Sequence, residues 1–221
     1  MNTRLFRCCL IEAAGTAFLA HAIARASHSS CNGFQQSLLV GLTLAMLIHL
    51  CGRTSGAHFN PAVTLLLNLE RWGWKGLARR PGLIETLSYV FSQCLGALLG
   101  MRLDPVGGLS QGFGLANTIP ELLYTFVLLS LVHVWSLEGR ICPFAQPLAG
   151  VVLGAGVAAL VMLGGLVGAG IYNPAIAVAL IAQGISGVPL MLISQAAALG
   201  FALLIFVGKA SDIQGPSASQ P

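Results

Sequence analysis

The sequence predicts an all-α membrane protein: six transmembrane helices plus two re-entrant half-helices, arranged as an inverted repeat. Three observations predict it. Of the 221 residues, 56% are hydrophobic and only 8% charged, against about 25% charged in a typical soluble domain, so the chain cannot cover itself with a wetted surface. Mean hydropathy is +0.82. Six apolar runs are each long enough to cross a bilayer, which takes roughly 20 helical residues. Finally, the triplet Asn-Pro-Ala occurs at Asn60-Pro61-Ala62 and again at Asn173-Pro174-Ala175, each time between a small-residue run and a brief apolar one.

The first run covers about Cys8 to Ala24. Met1 to Arg7 resembles the start of a signal peptide, but no small-residue cleavage site precedes polar sequence, so the run is read as the first span. It carries Glu12 and Thr16. The second run, Phe34 to Cys51, leads into Ser55 to Thr64, Ser-Gly-Ala-His-Phe-Asn-Pro-Ala-Val-Thr. Asn is a strong helix N-cap, and Pro fits the first helical position because its missing N–H would have had no partner there. The apolar run that follows is too short to span, so this helix dips in and ends. The third run, Leu83 to Met101, carries Ser92-Gln93.

The fourth run, Ile119 to Leu137, carries Glu121 and Thr125; the fifth is Pro147 to Gly165. Gly168 to Ile176, Gly-Ala-Gly-Ile-Tyr-Asn-Pro-Ala-Ile, echoes the first box. The sixth run, Val188 to Gly208, carries Ser194-Gln195. No linker divides the chain, so 1–221 is read as one domain with repeats at about 8–101 and 119–208, and 211–221 is expected to be a disordered tail.

A repeat with an odd number of spans places its second copy upside down. The landmarks recur in one order: Glu12 and Thr16 with Glu121 and Thr125, then a box, then Gln93 with Gln195. Asn60 follows Glu12 by 48 residues and Asn173 follows Glu121 by 52. With the N-terminus inside, Arg4, Arg7, Arg53, Arg71, Lys75, Arg79, Arg80, Arg140 and Lys209 fall on the cytoplasmic side, and Arg25 and Arg102 outside. Nine against two is the asymmetry that cytoplasmic loops carry, so both termini are expected in the cytoplasm. The net charge of +4 is thereby explained by insertion, and a nucleic-acid partner is excluded.

Opposite orientation brings the two half-helix N-termini together near the midplane. Each carries about half a positive charge, so the pair opposes cations, while the Asn amides offer donors to a neutral oxygen. The preceding chain, Gly56-Ala57-His58 and Gly168-Ala169-Gly170, is small and non-helical, so its carbonyls can line a lumen as acceptors.

Residues Ser55 to Thr64, the Glu12/Thr16 and Glu121/Thr125 pairs, and Gln93 with Gly96-Ala97 resemble the aquaporin, or major intrinsic protein, family over about residues 8 to 208. The resemblance implies a homotetramer with one pore per subunit, passing water or small neutral solutes. One departure stands out. Where most of the family has Arg after the second box, this chain has Ile176. Matching the family's register puts Val40, 20 residues before Asn60, where a bulky aromatic is frequent, and Val161, 12 before Asn173, where His is frequent. With Gly170 as fourth member, the implied outer filter is aliphatic. That widens the constriction toward glycerol, urea, peroxide or ammonia, whereas an apolar ring can also dewet and close.

Glu12 and Glu121 are ionisable groups inside spans, where the default is a functional role. They either relay protons in a coupled transporter or hold the backbone N–H groups of the box loops; recurrence beside each box favours the second. His58 is placed in the cytoplasmic vestibule or as a pH gate. His21, His49 and His133 sit singly in spans. The six cysteines, Cys8, Cys9, Cys31, Cys51, Cys94 and Cys142, lack metal-ligand spacing, so no metal and no cofactor is expected. Gly96 and Gly100, and Ala196 to Ala198 with Gly200, read as helix-packing positions. Trp72 and Trp74 beside Arg71 and Lys75 read as an interfacial anchor. No nucleophile, base and orienting group assemble, which argues against an enzyme. The expectation is a passive channel in a cell (plasma or inner) membrane, with a coupled secondary transporter or a non-conducting scaffold as alternatives.

Overall fold

The computed structural model describes residues 2–28, 32–104, 112–141, 148–167 and 170–207. Cys31, Cys142, Gly168, Ala169, Lys209 and the expected tail at 211–221 lie outside them, as does the side chain of Arg140. The described residues form helices α1 (Thr3–His28), α2 (Gly33–Ser55), α3 (Pro61–Leu77), α4 (Arg80–Leu103), α5 (Thr118–Ile141), α6 (Ala149–Gly165), α7 (Pro174–Ala182) and α8 (Val188–Ala202). A π turn, Leu203–Val207, extends α8, and a 3₁₀ turn, Leu115–Asn117, precedes α5. No strand occurs among the described residues.

Helix starts follow local chemistry. Asn32 caps α2 by accepting from Gln35 N at 3.0 Å, and Gln35 Oε1 accepts in return from Asn32 N. Asn60 and Asn173 cap α3 and α7, each accepting from the N–H two residues on, with Pro at the first helical position. Expected and observed lengths differ in two places. The helix after the first box does not stop early: Gly73, at φ +62, kinks it, and one further turn carries Trp74 and Lys75. The fifth span is helical over 17 described residues, about 25 Å at 1.5 Å per residue.

Polarity is turned inside out. Glu12, Gln93, Glu121 and Gln195 are fully buried, whereas Leu50 and Phe91 are 71% and 70% exposed, as expected where lipid rather than water surrounds the bundle. Close helix crossings rest on missing side chains. A Cβ on Gly96 would sit 2.2 Å from Ala13 O, and one on Gly100 2.0 Å from Ala17 O, so α4 lies directly on α1. The α2–α6 crossing is equally tight, with Gly41 and Gly154 each 2.5 Å from the other's carbonyl oxygen by the same measure. In α8 the expectation for Gly200 is corrected, because open space faces it. The positions equivalent to Gly96 and Gly100, counted from the Gln, are Ala198 and Ala202, both fully buried.

Candidate functional site

Helices α3 and α7 begin facing each other. Asn60 Nδ2 donates to Tyr172 O at 2.8 Å, and Asn173 Nδ2 donates to Phe59 O at 2.8 Å. Asn60 Oδ1 accepts from Ala62 N and Asn173 Oδ1 from Ala175 N. Each Asn thus caps its own helix and grips the backbone of the opposite box. The carbonyls gripped belong to residues in the left-handed region, Phe59 at φ +49 and Tyr172 at φ +45. That conformation costs a non-glycine residue on the order of 1 kcal/mol, and the reciprocal bonds offset it. One N–H of each Asn is therefore committed to protein, leaving one, not two, for a solute.

The loops ahead of the boxes are held by the two buried carboxylates. Glu12 Oε1 accepts from Ser55 Oγ (2.7 Å) and His58 N (3.0 Å), and Oε2 from Phe59 N (2.7 Å) and Gln93 Nε2 (2.8 Å). Glu121 Oε2 accepts from Gly170 N (3.1 Å) and Ile171 N (3.2 Å), and Oε1 from Tyr172 N (2.7 Å) and Gln195 Nε2 (2.7 Å). Ala57 N is taken by Ser55 Oγ at 3.0 Å. With their N–H groups engaged on one side, Gly56, Ala57 and His58 have carbonyl oxygens to which no described residue donates. All three residues line a cavity.

That cavity, about 1270 Å³, is lined by both Asn60 and Asn173. Its wall includes both Phe34 and Arg53, 19 residues apart on α2, or about 28 Å along the helix, close to the roughly 30 Å hydrocarbon thickness. The four residues of the expected filter, Val40, Val161, Gly170 and Ile176, share this wall. Val40 and Ile176 are buried and Val161 is half-buried. Tyr172 Oη donates to Leu160 O at 3.2 Å and meets the ring of Tyr124 edge-on. Phe59 instead fits over Gly15, where a Cβ would be 2.1 Å from its ring. His58 lies on the Arg53 side of the boxes, with Nδ1 3.2 Å from Thr64 Oγ1 and its ring 5.3 Å from that of Tyr89.

Several residues escaped the sequence reading. Phe59 and Tyr172 supply the acceptors that join the boxes, and the signal was present as an aromatic before each Asn. His133 is not solitary: its Nδ1 pairs with Glu70 Oε1, Ser136 Oγ reaches Glu70 Oε2 at 3.5 Å, and its ring stacks on Phe206 at 4.1 Å. Nothing in the local pattern of α3 or α5 marks that pairing. Among the described residues, no group of three His, Cys, Asp or Glu is placed to hold a metal.

Comparison with known proteins places this geometry. Residues 4–185 match the family described as Major intrinsic protein. The chain is similar to Nodulin-26 of Glycine max, 30% identical over 149 residues, covering 63% of this chain and 51% of the relative. It is also similar to Aquaporin NIP1-1 of Zea mays, 29% over 150 residues, with 63% and 49% covered. A third relative is the Probable glycerol uptake facilitator protein of Thermotoga maritima, 46% over 111 residues, with 40% and 43% covered. The chain spans about half the length of the curated relatives it matches. Helix α8 lies beyond the matched residues, yet its Gln195 completes the Glu121 cluster.

Proposed function

The chain belongs to the major intrinsic protein family, and on that premise we propose that it is a passive transmembrane channel, not an enzyme, for water and small neutral solutes. The observation that carries the reading is the cavity between Phe34 and Arg53 that passes the paired Asn-Pro-Ala boxes. At that waist, two helix N-termini present fixed partial positive charge, which opposes cations without opposing neutral molecules. The remaining N–H of Asn60 and Asn173, and the carbonyls of Gly56, Ala57 and His58, hand a hydrogen-bonding solute through an otherwise aliphatic bore. Gly168 and Ala169 are assigned the matching role on the far side.

The role of Glu12 and Glu121 is to hold the two loops open toward the lumen, since each carboxylate spends its acceptors on backbone and Gln donors. The outer filter is Val40, Val161, Gly170 and Ile176. It lacks a fixed cation and an aromatic, and so favours neutral solutes larger or less polar than water, such as glycerol, urea, peroxide or ammonia. The protein is one domain of two inverted repeats. Nine basic residues on one side orient both termini toward the cytoplasm of a plasma or inner membrane, and family membership favours a homotetramer with one pore in each subunit.

Stopped-flow measurement on proteoliposomes tests this. Expected are water, glycerol and urea fluxes above those of empty liposomes, linear in the gradient. Flux that saturates and follows an ion gradient would make the protein a coupled transporter. Flux equal to that of empty liposomes for every solute would make it a scaffold.

A further inference from the structure

The bore has a fifth wall at its outer end that the four-residue filter leaves out. Phe113, in the segment before α5, lines the same cavity as Val40, Val161 and Ile176. Its ring packs against the apolar cluster that contains Ile171 and Ile176. Ile176 is short and aliphatic, so the aromatic ring of Phe113 is the bulkier side chain that this part of the wall brings to the bore.

The ring is held in place by its backbone. Phe113 N donates to Ser186 O at 3.0 Å. Gly112, at φ +64, and Gly187, at φ +74, allow the two chains to lie face to face: a Cβ on Gly112 would be 2.0 Å from Ser186 Oγ, and one on Gly187 1.7 Å from Phe113 O. On the other side, Asn117 Oδ1 accepts from Gly114 N at 2.7 Å, and Asn117 Nδ2 donates to Val167 O at 3.2 Å. The segment is therefore fastened to the α7–α8 turn and to the end of α6. Left-handed glycines on both strands of a contact are what such a close approach requires.

We propose that Phe113 is a specificity-determining residue of the channel, its clamped ring setting the largest neutral solute that passes. This rests on the channel reading above. Because the clamp uses only backbone atoms of Phe113, truncating the side chain leaves the fastening intact.

The test is the ratio of xylitol to water flux in proteoliposomes of wild type, Phe113→Ala, Phe113→Leu and Phe113→Trp, each first shown to be monodisperse by size exclusion. The ratio should rise about tenfold in Phe113→Ala, the lower end of what one fitted apolar group discriminates. It should be intermediate in Phe113→Leu and lower than wild type in Phe113→Trp. Equal ratios in all four folded proteins would overturn the proposal. Gly187→Ala keeps the ring but breaks the clamp, and should raise the ratio too; an unchanged ratio there would overturn the clamped placement. If no protein passes water, glycerol or xylitol above empty liposomes, the channel reading itself fails and takes this inference with it.

Discussion

Replacing Glu121 separates a loop-holding carboxylate from a proton-relaying one. In Glu121→Ala, the N–H groups of Gly170, Ile171 and Tyr172 lose their acceptor together. Each stranded N–H costs about 1–3 kcal/mol, so the variant forfeits several kcal/mol and is expected to yield little folded protein. Glu121→Gln is milder, and the structure says why. If the new NH2 replaces Oε1, Gln195 can turn to present its own Oε1, which has no partner among the described residues. Only Tyr172 N–H is then stranded. The expected loss is about 1–3 kcal/mol, or roughly 2–12 °C in melting temperature at 2–4 °C per kcal/mol for a chain of this size. Glu12→Ala strands two backbone N–H groups, those of His58 and Phe59, and should fall between these two. The assay is a thermal melt followed by detergent size exclusion, with water flux normalised to folded protein. Normalised flux in Glu121→Gln should stay within about twofold of wild type, at every pH tested, well below the tenfold that 1.4 kcal/mol of barrier would give. A wild-type melting temperature combined with flux that is lost, or that departs from wild type by an amount that changes with pH, would refute the loop-holding role and restore the relay.

Three further outcomes are expected. Ile176→Arg places a buried cation against the lumen, so glycerol flux should drop relative to water; unchanged permeation of every solute removes Ile176 from the filter. Asn60→Asp puts a carboxylate opposite Tyr172 O and an anion at the waist, so cation conductance in planar bilayers should rise above wild type, and a leak-free variant would show that helix-end charge does not set the barrier. Gly96→Ala forces a Cβ to 2.2 Å from Ala13 O and should destabilise by roughly 1–3 kcal/mol. Gly200→Ala, facing open space in α8, should be neutral or stabilise by roughly 0.5–1 kcal/mol; equal melting shifts in the two variants would contradict the packing account.

Local chemistry made much of this molecule readable before any coordinates. Apolar length marks the spans, and Asn followed by Pro marks the starts of α3 and α7 because capping is a matter of adjacent residues. Glu12 and Glu121 stood out because an ionisable group in an apolar span demands a partner. What local pattern does not carry is the identity of partners far along the chain. Gly41 and Gly154 meet only because α2 crosses α6, and neither helix shows a periodicity that announces it. The Glu70–His133 pair joins α3 to α5 across 63 residues of chain, and no local pattern in either helix announces it. Phe113 sits in a short segment with no repeat equivalent, so the landmark comparison that aligned the two halves passed over it. The left-handed backbone at Phe59 and Tyr172 is likewise a product of tertiary bonds, since both residues alone prefer the opposite hand.

The crossed Asn bonds bear on how the chain is made. Asn60 leaves the ribosome 112 residues ahead of the carbonyl it will bond, an interval of roughly 6–20 s at ordinary synthesis rates. Until the later loop docks, the Asn60 amide and the Phe59 carbonyl wait without their answering groups inside the bilayer. A nascent chain halted after α4 therefore carries an unfinished polar seam, and closing it waits for the second half of the chain.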